Sequence, residues 1–199
     1  HNPGTPAMHR LLITFAFALA LCLVGCQSAG SPRDTYRTAD QDPVRDADTA
    51  RRLHNRALEL IAEGQAEPAM QTLRRALEAD ITFGPAHNNL GKLLFDQGKL
   101  YAAAWEFQYA IKLMPHQPEP KNNLGLVLER AGKLDDAIET YRKAVDLEPD
   151  NPVLIGNLAR CKHRRGDKDD EQRRLLQELV MKDTRPDWRQ WAQEQLRRL

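Results

Sequence analysis

Four asparagines, Asn55, Asn89, Asn123 and Asn157, stand 34 residues apart along the chain. A carboxamide carries a donor and an acceptor together, so a row of them can pair with the N–H and C=O of an extended peptide. That is the chemistry of binding. Residues for bond-making chemistry are sparse by comparison. The only serines, Ser28 and Ser31, lie in a polar N-terminal stretch, away from any segment that reads as folded. There is no Gly-rich phosphate loop, HExxH, CxxC or dinucleotide fingerprint. His54, His87, His116 and His163 are dispersed, without the i, i+4 spacing of a helical metal pair. Cys161 stands two residues from His163, which on a helix puts them on different faces, and is expected to be an inert, partly buried thiol. The acidic pairs Asp135-Asp136 and Asp169-Asp170 fit helix starts better than acid–base work. Neither an enzyme nor a metal site is expected.

The elements that position the asparagines repeat with them. At an offset of 34, Asn88-Asn89-Leu90-Gly91 falls on Asn122-Asn123-Leu124-Gly125, and Gly98-Lys99-Leu100 on Gly132-Lys133-Leu134. Ala103 falls on Ala137, Phe107 on Tyr141, Ala110 on Ala144 and Pro115 on Pro149. Leu90, Leu93 and Leu94, then Leu124, Val127 and Leu128, recur at helical spacing. Gly98 and Gly132 sit where each helix must stop and turn. The alanines, seven apart on one face, allow two helices to approach closely. Asp48 or Thr49 is the expected N-cap of the first helix.

The spaced Leu-Gly, Gly, Ala, aromatic, Ala and Pro positions resemble the tetratricopeptide repeat family. The resemblance implies an all-α, right-handed helical-hairpin solenoid over 49–185, with regular repeats 50–83, 84–117 and 118–151. A degenerate fourth repeat would follow over 152–185, because Glu171 and Glu178 replace the small residues there. Trp188, Trp191, Ala192, Gln195, Leu196 and Leu199 imply a capping helix over 186–199. The family's concave side is lined by the first helix of each repeat. By family pattern His54, Asn88, Lys92, Phe95, Asn122, Leu126, Arg160 and His163 face inward there, beside the four asparagines. In several members an asparagine at this position ladders along a bound peptide; alternatively the row belongs to the family consensus and marks ancestry. Lys92, Asn123 and Arg160 partly resemble a clamp for a peptide C-terminus, although Asn88 and Gly156 stand where that clamp has lysines. A basic groove floor is expected, with Arg164 and Arg165 near one end.

The N-terminus reads differently. His1–Ala7 precede Met8 and are expected to be an over-extended start or a fragment boundary. His9 and Arg10 then lead into the apolar run Leu11–Leu23, about 13 residues, the length of a signal-peptide core and short for a bilayer span. Leu23-Val24-Gly25-Cys26 resembles the lipobox of bacterial lipoproteins, which implies a signal peptide over 1–25 and a lipid on Cys26. One acyl chain binds a membrane only marginally and two or more give stable anchoring; the resemblance implies several. Gln27 after the cysteine implies, in a Gram-negative envelope, an outer-membrane location facing the periplasm. The polar, breaker-rich stretch from Cys26 to Asp48 is expected to be a flexible tether with an r.m.s. reach on the order of 25 Å.

The 199 residues are 41% hydrophobic and 29% charged with net charge +1. That balance gives no reason to expect nucleic acid as a partner. The expectation is a lipid-anchored envelope scaffold that takes a protein or peptide in its groove, in pilus or secretion assembly or in organising cell-wall enzymes. It needs no cofactor beyond the lipid. The alternative is a self-associating structural lipoprotein whose groove is filled by a second copy.

Overall fold

A computed structural model describes residues 45–199 as nine α-helices. They are α1 (Ala47–Ala62), α2 (Ala66–Ala79), α3 (Gly84–Asp96), α4 (Leu100–Leu113), α5 (Pro118–Arg130), α6 (Leu134–Val145), α7 (Pro152–Arg165), α8 (Asp170–Lys182) and α9 (Pro186–Leu196). Cys26, the signal-like run and the expected tether up to residue 44 lie outside these residues. Within them, no helix is long and apolar enough to cross a membrane.

The 34-residue offset is visible in the backbone. Gly64, Gly98, Gly132 and Gly166 all take positive φ, from 75° to 96°, at the turn inside each hairpin. Only glycine adopts that left-handed conformation without cost. Prolines open α5, α7 and α9, where a missing N–H is harmless. The first helix starts earlier than expected. Its N-cap is Asp46, whose carboxylate accepts from the Thr49 N–H at 3.0 Å, so Ala47 and Asp48 belong to α1 and not to a tether. Asp46 fits because its carboxylate reaches the N–H three residues on, the geometry that satisfies an orphan donor.

Helices pack mainly on their neighbours in sequence, and more thinly α3 packs on α5 and α5 on α7. The two helices of a hairpin interlock through one recurring contact. In repeats two and three the rings of Phe107 and Tyr141, both fully buried, lie over Gly91 and Gly125. The same register positions in repeats one and four hold Ala57 with Leu73 and Ala159 with Leu175, also buried. A larger ring goes with a smaller partner, which keeps the interior at constant volume.

The fourth repeat departs from the pattern at two positions that compensate each other. Lys162 occupies the place of Leu60, Leu94 and Leu128, and its side chain is 0% exposed. Its ammonium contacts Asp167 at 2.8 Å, Asp169 at 2.9 Å and Glu171 at 2.7 Å. Glu171, where the other repeats have alanine, also accepts twice from Arg142 of the previous repeat. Where the other repeats have leucine and alanine, the fourth has an ion pair. Arg142 first and then Lys162 hold the Glu171 carboxyl down at about 2, and Arg165 holds Asp167 to about 2.

Pro186 lies 34 residues after Pro152, so the capping helix α9 is in register as the first helix of a further repeat. Trp188 and Trp191 meet edge to face at 5.7 Å, and Ala192 is fully buried against the fourth repeat. Both tryptophans are half-buried, and with Arg160 and Asp187 they line an open pocket.

Candidate peptide-binding groove

The first helices α1, α3, α5 and α7 carry the residues expected to face inward. Three of the four asparagines do not simply point at solvent. Asn89 Nδ2 lies 2.8 Å from His54 Nε2, Asn123 Nδ2 donates to Asn88 Oδ1 at 3.0 Å, and Asn157 Nδ2 donates to Asn122 Oδ1 at 2.8 Å. Each bond joins a residue to one 35 positions earlier, so each staples a repeat to its predecessor. Asn122 and Asn157 are buried, Asn88, Asn89 and Asn123 half-buried, and Asn55 exposed at the free end of the row. The asparagines therefore commit an amide N–H to holding neighbouring repeats in register.

At the last junction the pattern changes. Gly156 stands where His54, Asn88 and Asn122 stand, and Trp191 takes the asparagine's place. A Cβ on Gly156 would lie 3.0 Å from the Trp188 ring, which covers that position.

Burial lowers the pKa of His54 from its usual 6.5, against a smaller opposite effect from Asn55. A neutral ring is also what lets Nε2 accept from Asn89. An unfolded histidine near 6.5 binds a proton more readily than this one, so the stability it contributes is complete above about pH 6.5 and is lost as the pH falls toward the folded value. Hydrogen exchange between pH 7 and pH 5 should show amides of α1 and α3 losing protection severalfold. His54→Asn, which installs the residue of the next two repeats, should flatten that pH dependence; an unchanged slope would show that His54 does not cause it.

The expected basic floor is largely neutralised. Glu129, at the position of Phe95 and His163 in their repeats, is 4% exposed. It accepts from Arg160 Nη2 at 2.8 Å, Arg164 Nη1 at 2.8 Å and the Tyr141 hydroxyl at 2.9 Å. Burial alone would raise its pKa, but the hydrogen bonds from Arg160 and Arg164 hold it below the usual carboxylate range. Burial and the adjacent Glu129 charge raise the Tyr141 hydroxyl well above its ordinary value. Arg165 pairs with Asp135 and Asp167. Sequence reasoning placed Phe95 and His163 in the groove but passed over Glu129 in the same register; an acid between two large side chains of one row was the available signal.

An open stretch lies between α3 and α5. Lys92, Phe95, Asp96, Asn123 and Leu126 line a cavity with Phe107 at its floor. Lys92 is exposed and makes no ion pair among the described residues. Arg130 lies over the Phe95 ring, 5.1 Å from its centroid. At the far end His163 is exposed and meets Trp191 edge-on at 5.8 Å, and Arg160 faces Trp188 at 5.7 Å. The cavity can take an apolar side chain, with an ammonium at its rim to attract an acidic one.

Burial pushes the Cys161 thiol up to about 11, its Sγ donates to the Leu134 carbonyl, and it is fully buried. No group of three His, Cys, Asp or Glu side chains among the described residues is placed to hold a metal ion.

With this geometry in view, three tetratricopeptide repeat family models match, over residues 50–80, 88–152 and 128–192. The chain belongs to the tetratricopeptide repeat family. Among solved structures it resembles Pseudomonas aeruginosa PilF at 20% identity and TM-score 0.65, covering 77% of each chain. It resembles the first tetratricopeptide domain of Spaghetti (RPAP3), bound to the HSP90 peptide SRMEEVD, at 18% identity and TM-score 0.60. There 63% of this chain covers 100% of the other. It also resembles Thermobaculum terrenum O-GlcNAc transferase (the K341M mutant) at 25% identity and TM-score 0.63, with 69% of this chain covering 26% of the enzyme. Comparison with curated proteins gives no match.

Proposed function

We propose that the chain is a lipid-anchored adaptor of a bacterial envelope, which binds an extended segment of a protein partner between α3 and α5. The observation that carries the reading is the apolar cavity of Phe95, Leu126 and Phe107 with the unpaired Lys92 at its rim. A partner with an apolar side chain next to an acidic one fits it, and no foreign cofactor is needed. The likeness to a domain bound to the acidic peptide SRMEEVD supports this use of the fold. The process it serves is pilus or secretion assembly or the organisation of cell-wall enzymes, and the likeness to PilF supports the helical-repeat fold that either would use. The Cys26 lipobox and Gln27 support anchoring, at the outer membrane facing the periplasm if the envelope is Gram-negative.

The test compares three full-length chains expressed in a Gram-negative host: unaltered, Lys92→Glu and Cys26→Ala. Lys92 is exposed and holds no other side chain, so reversing its charge leaves the staples intact. Lys92→Glu should lower capture of the membrane partner at least tenfold with helical circular dichroism unchanged. Cys26→Ala should release the chain from the membrane fraction. Equal capture by the unaltered and Lys92→Glu chains would remove the groove from the reading, and retention of Cys26→Ala would remove the lipid.

A further inference from the structure

Helix α4 carries a row of aromatics on the side opposite its buried Ala103, Phe107 and Ala110. Tyr101 is 83% exposed, Trp105 51% and Tyr109 38%. The protein supplies its own comparison. At these three positions repeat one has Glu67, Gln71 and Arg75, and repeats three and four are likewise polar or charged throughout. The hairpin thus folds well with charged groups there, and only repeat two exposes rings. Tyr109 is stacked on His87 at 5.3 Å and touches Trp105 at 5.6 Å, so two of the three rings are held in place.

We propose that this row is a contact between two copies of the chain, packed α4 against α4 in antiparallel fashion around a two-fold axis at Trp105. The order Tyr–Trp–Tyr at i, i+4 and i+8 reads the same in both directions. A two-fold interface pairs one patch with itself, so Tyr101 of each copy lies against Tyr109 of the other and Trp105 beside Trp105. Such a row is an i±4 ridge, the feature that interdigitates when helices pack. The flanks also match under reversal. Seven residues either side of Trp105 stand Gly98 and Lys112; the bare glycine, with open space above it, leaves space for the lysine of the other copy.

The area sets the strength. At about 200 Å² for each aromatic side chain, the exposed fractions leave roughly 350 Å² of ring surface on each copy. A stable dimer buries about 800 Å² per partner, so this pairing is weak and reversible. It uses a different face from the cavity between α3 and α5 and leaves that cavity free.

The test uses the full chain in detergent micelles. Sedimentation equilibrium should show mass rising with concentration toward a dimer. Tyr101→Glu/Trp105→Gln/Tyr109→Arg installs the residues repeat one already carries in this register, so the hairpin is retained, and it should weaken association at least tenfold. Lys92→Glu should leave association unchanged, which separates this contact from groove binding. A monomer at every concentration, or a triple variant that associates as well as the unaltered chain, would overturn the proposal. So would phosphatidylcholine vesicle binding lost in the triple variant while mass is unaffected, since the row would then serve a bilayer.

Discussion

Gly91→Ala should destabilise the solenoid by about 2 kcal/mol, although the same exchange in an ordinary helix interior gains about 1 kcal/mol. A Cβ built at Gly91 meets three atoms of the Phe107 ring, at 2.7, 2.9 and 3.1 Å. The ring is 1% exposed and cannot swing into water. Overpacking a filled interior costs about 1–3 kcal/mol, occasionally more, and here it outweighs the helix-propensity gain. The neighbouring repeats supply the remedy. They place alanine with leucine at these two positions, as Ala57 with Leu73 and Ala159 with Leu175. Phe107→Leu alone should cost about 1–2 kcal/mol for the lost volume, yet Gly91→Ala/Phe107→Leu should be more stable than either single variant. Urea unfolding of the four proteins measures the coupling. Additive losses would mean that the ring and the glycine do not compensate each other.

The second large effect lies in the buried ions of the fourth repeat. Lys162→Leu should cost about 2 kcal/mol, because Asp167, Asp169 and Glu171 lose the cation they share. Breaking a fully buried pair costs about 3–5 kcal/mol, and the lower figure reflects that Asp169 and Glu171 remain partly in water. Glu171→Ala alone should cost about as much, since it frees Arg142 and removes one of three partners of a fully buried ammonium. Lys162→Leu/Glu171→Ala installs the leucine and alanine of the other three repeats and should recover most of the loss. Thermal unfolding followed by circular dichroism reads all three variants. A double variant no better than the singles would mean that the ion cluster has become necessary to the last hairpin. The carboxyls of Asp167 and Glu171, lowered from 3.8 and 4.5 to about 2, give the cluster a stability that is complete above about pH 4.5 and is lost progressively as the pH falls through about 2.

Much of the fold was legible because one offset carries several physical requirements together. The turn glycines, the alanine rows and the helix-opening prolines each have a reason of their own, and all agree on 34 residues. What escaped involves pairs. Glu171 in an alanine place reads as degeneracy until Lys162, in a leucine place, is seen to touch it. The asparagine row was legible as a row, but a spacing of 34 does not show that each amide turns to the residue 35 positions earlier. Arg160 and Arg164 read as free cations because Glu129 stands in another repeat, at a position otherwise held by phenylalanine, isoleucine or histidine. The aromatics of α4 were visible in the same alignment of repeats, at positions where helix periodicity alone makes no distinction. Asp46 was missed as a cap because the composition of the preceding stretch gives no periodic signal.

Because the asparagine staples join each repeat to the one before it, a pull on the two ends of the stack passes through every junction in series. Such a body stretches like a chain of springs, and its compliance is set by the softest link. Three junctions are held by amide hydrogen bonds that tolerate little lengthening, about half an ångström beyond the usual 2.9 Å before they fail. The last is held by tryptophan faces resting on glycine and on each other, which slide before they part. Under load the end at α9 should therefore yield gradually while the other junctions hold and then give way abruptly, so that the molecule has one compliant end and one stiff one.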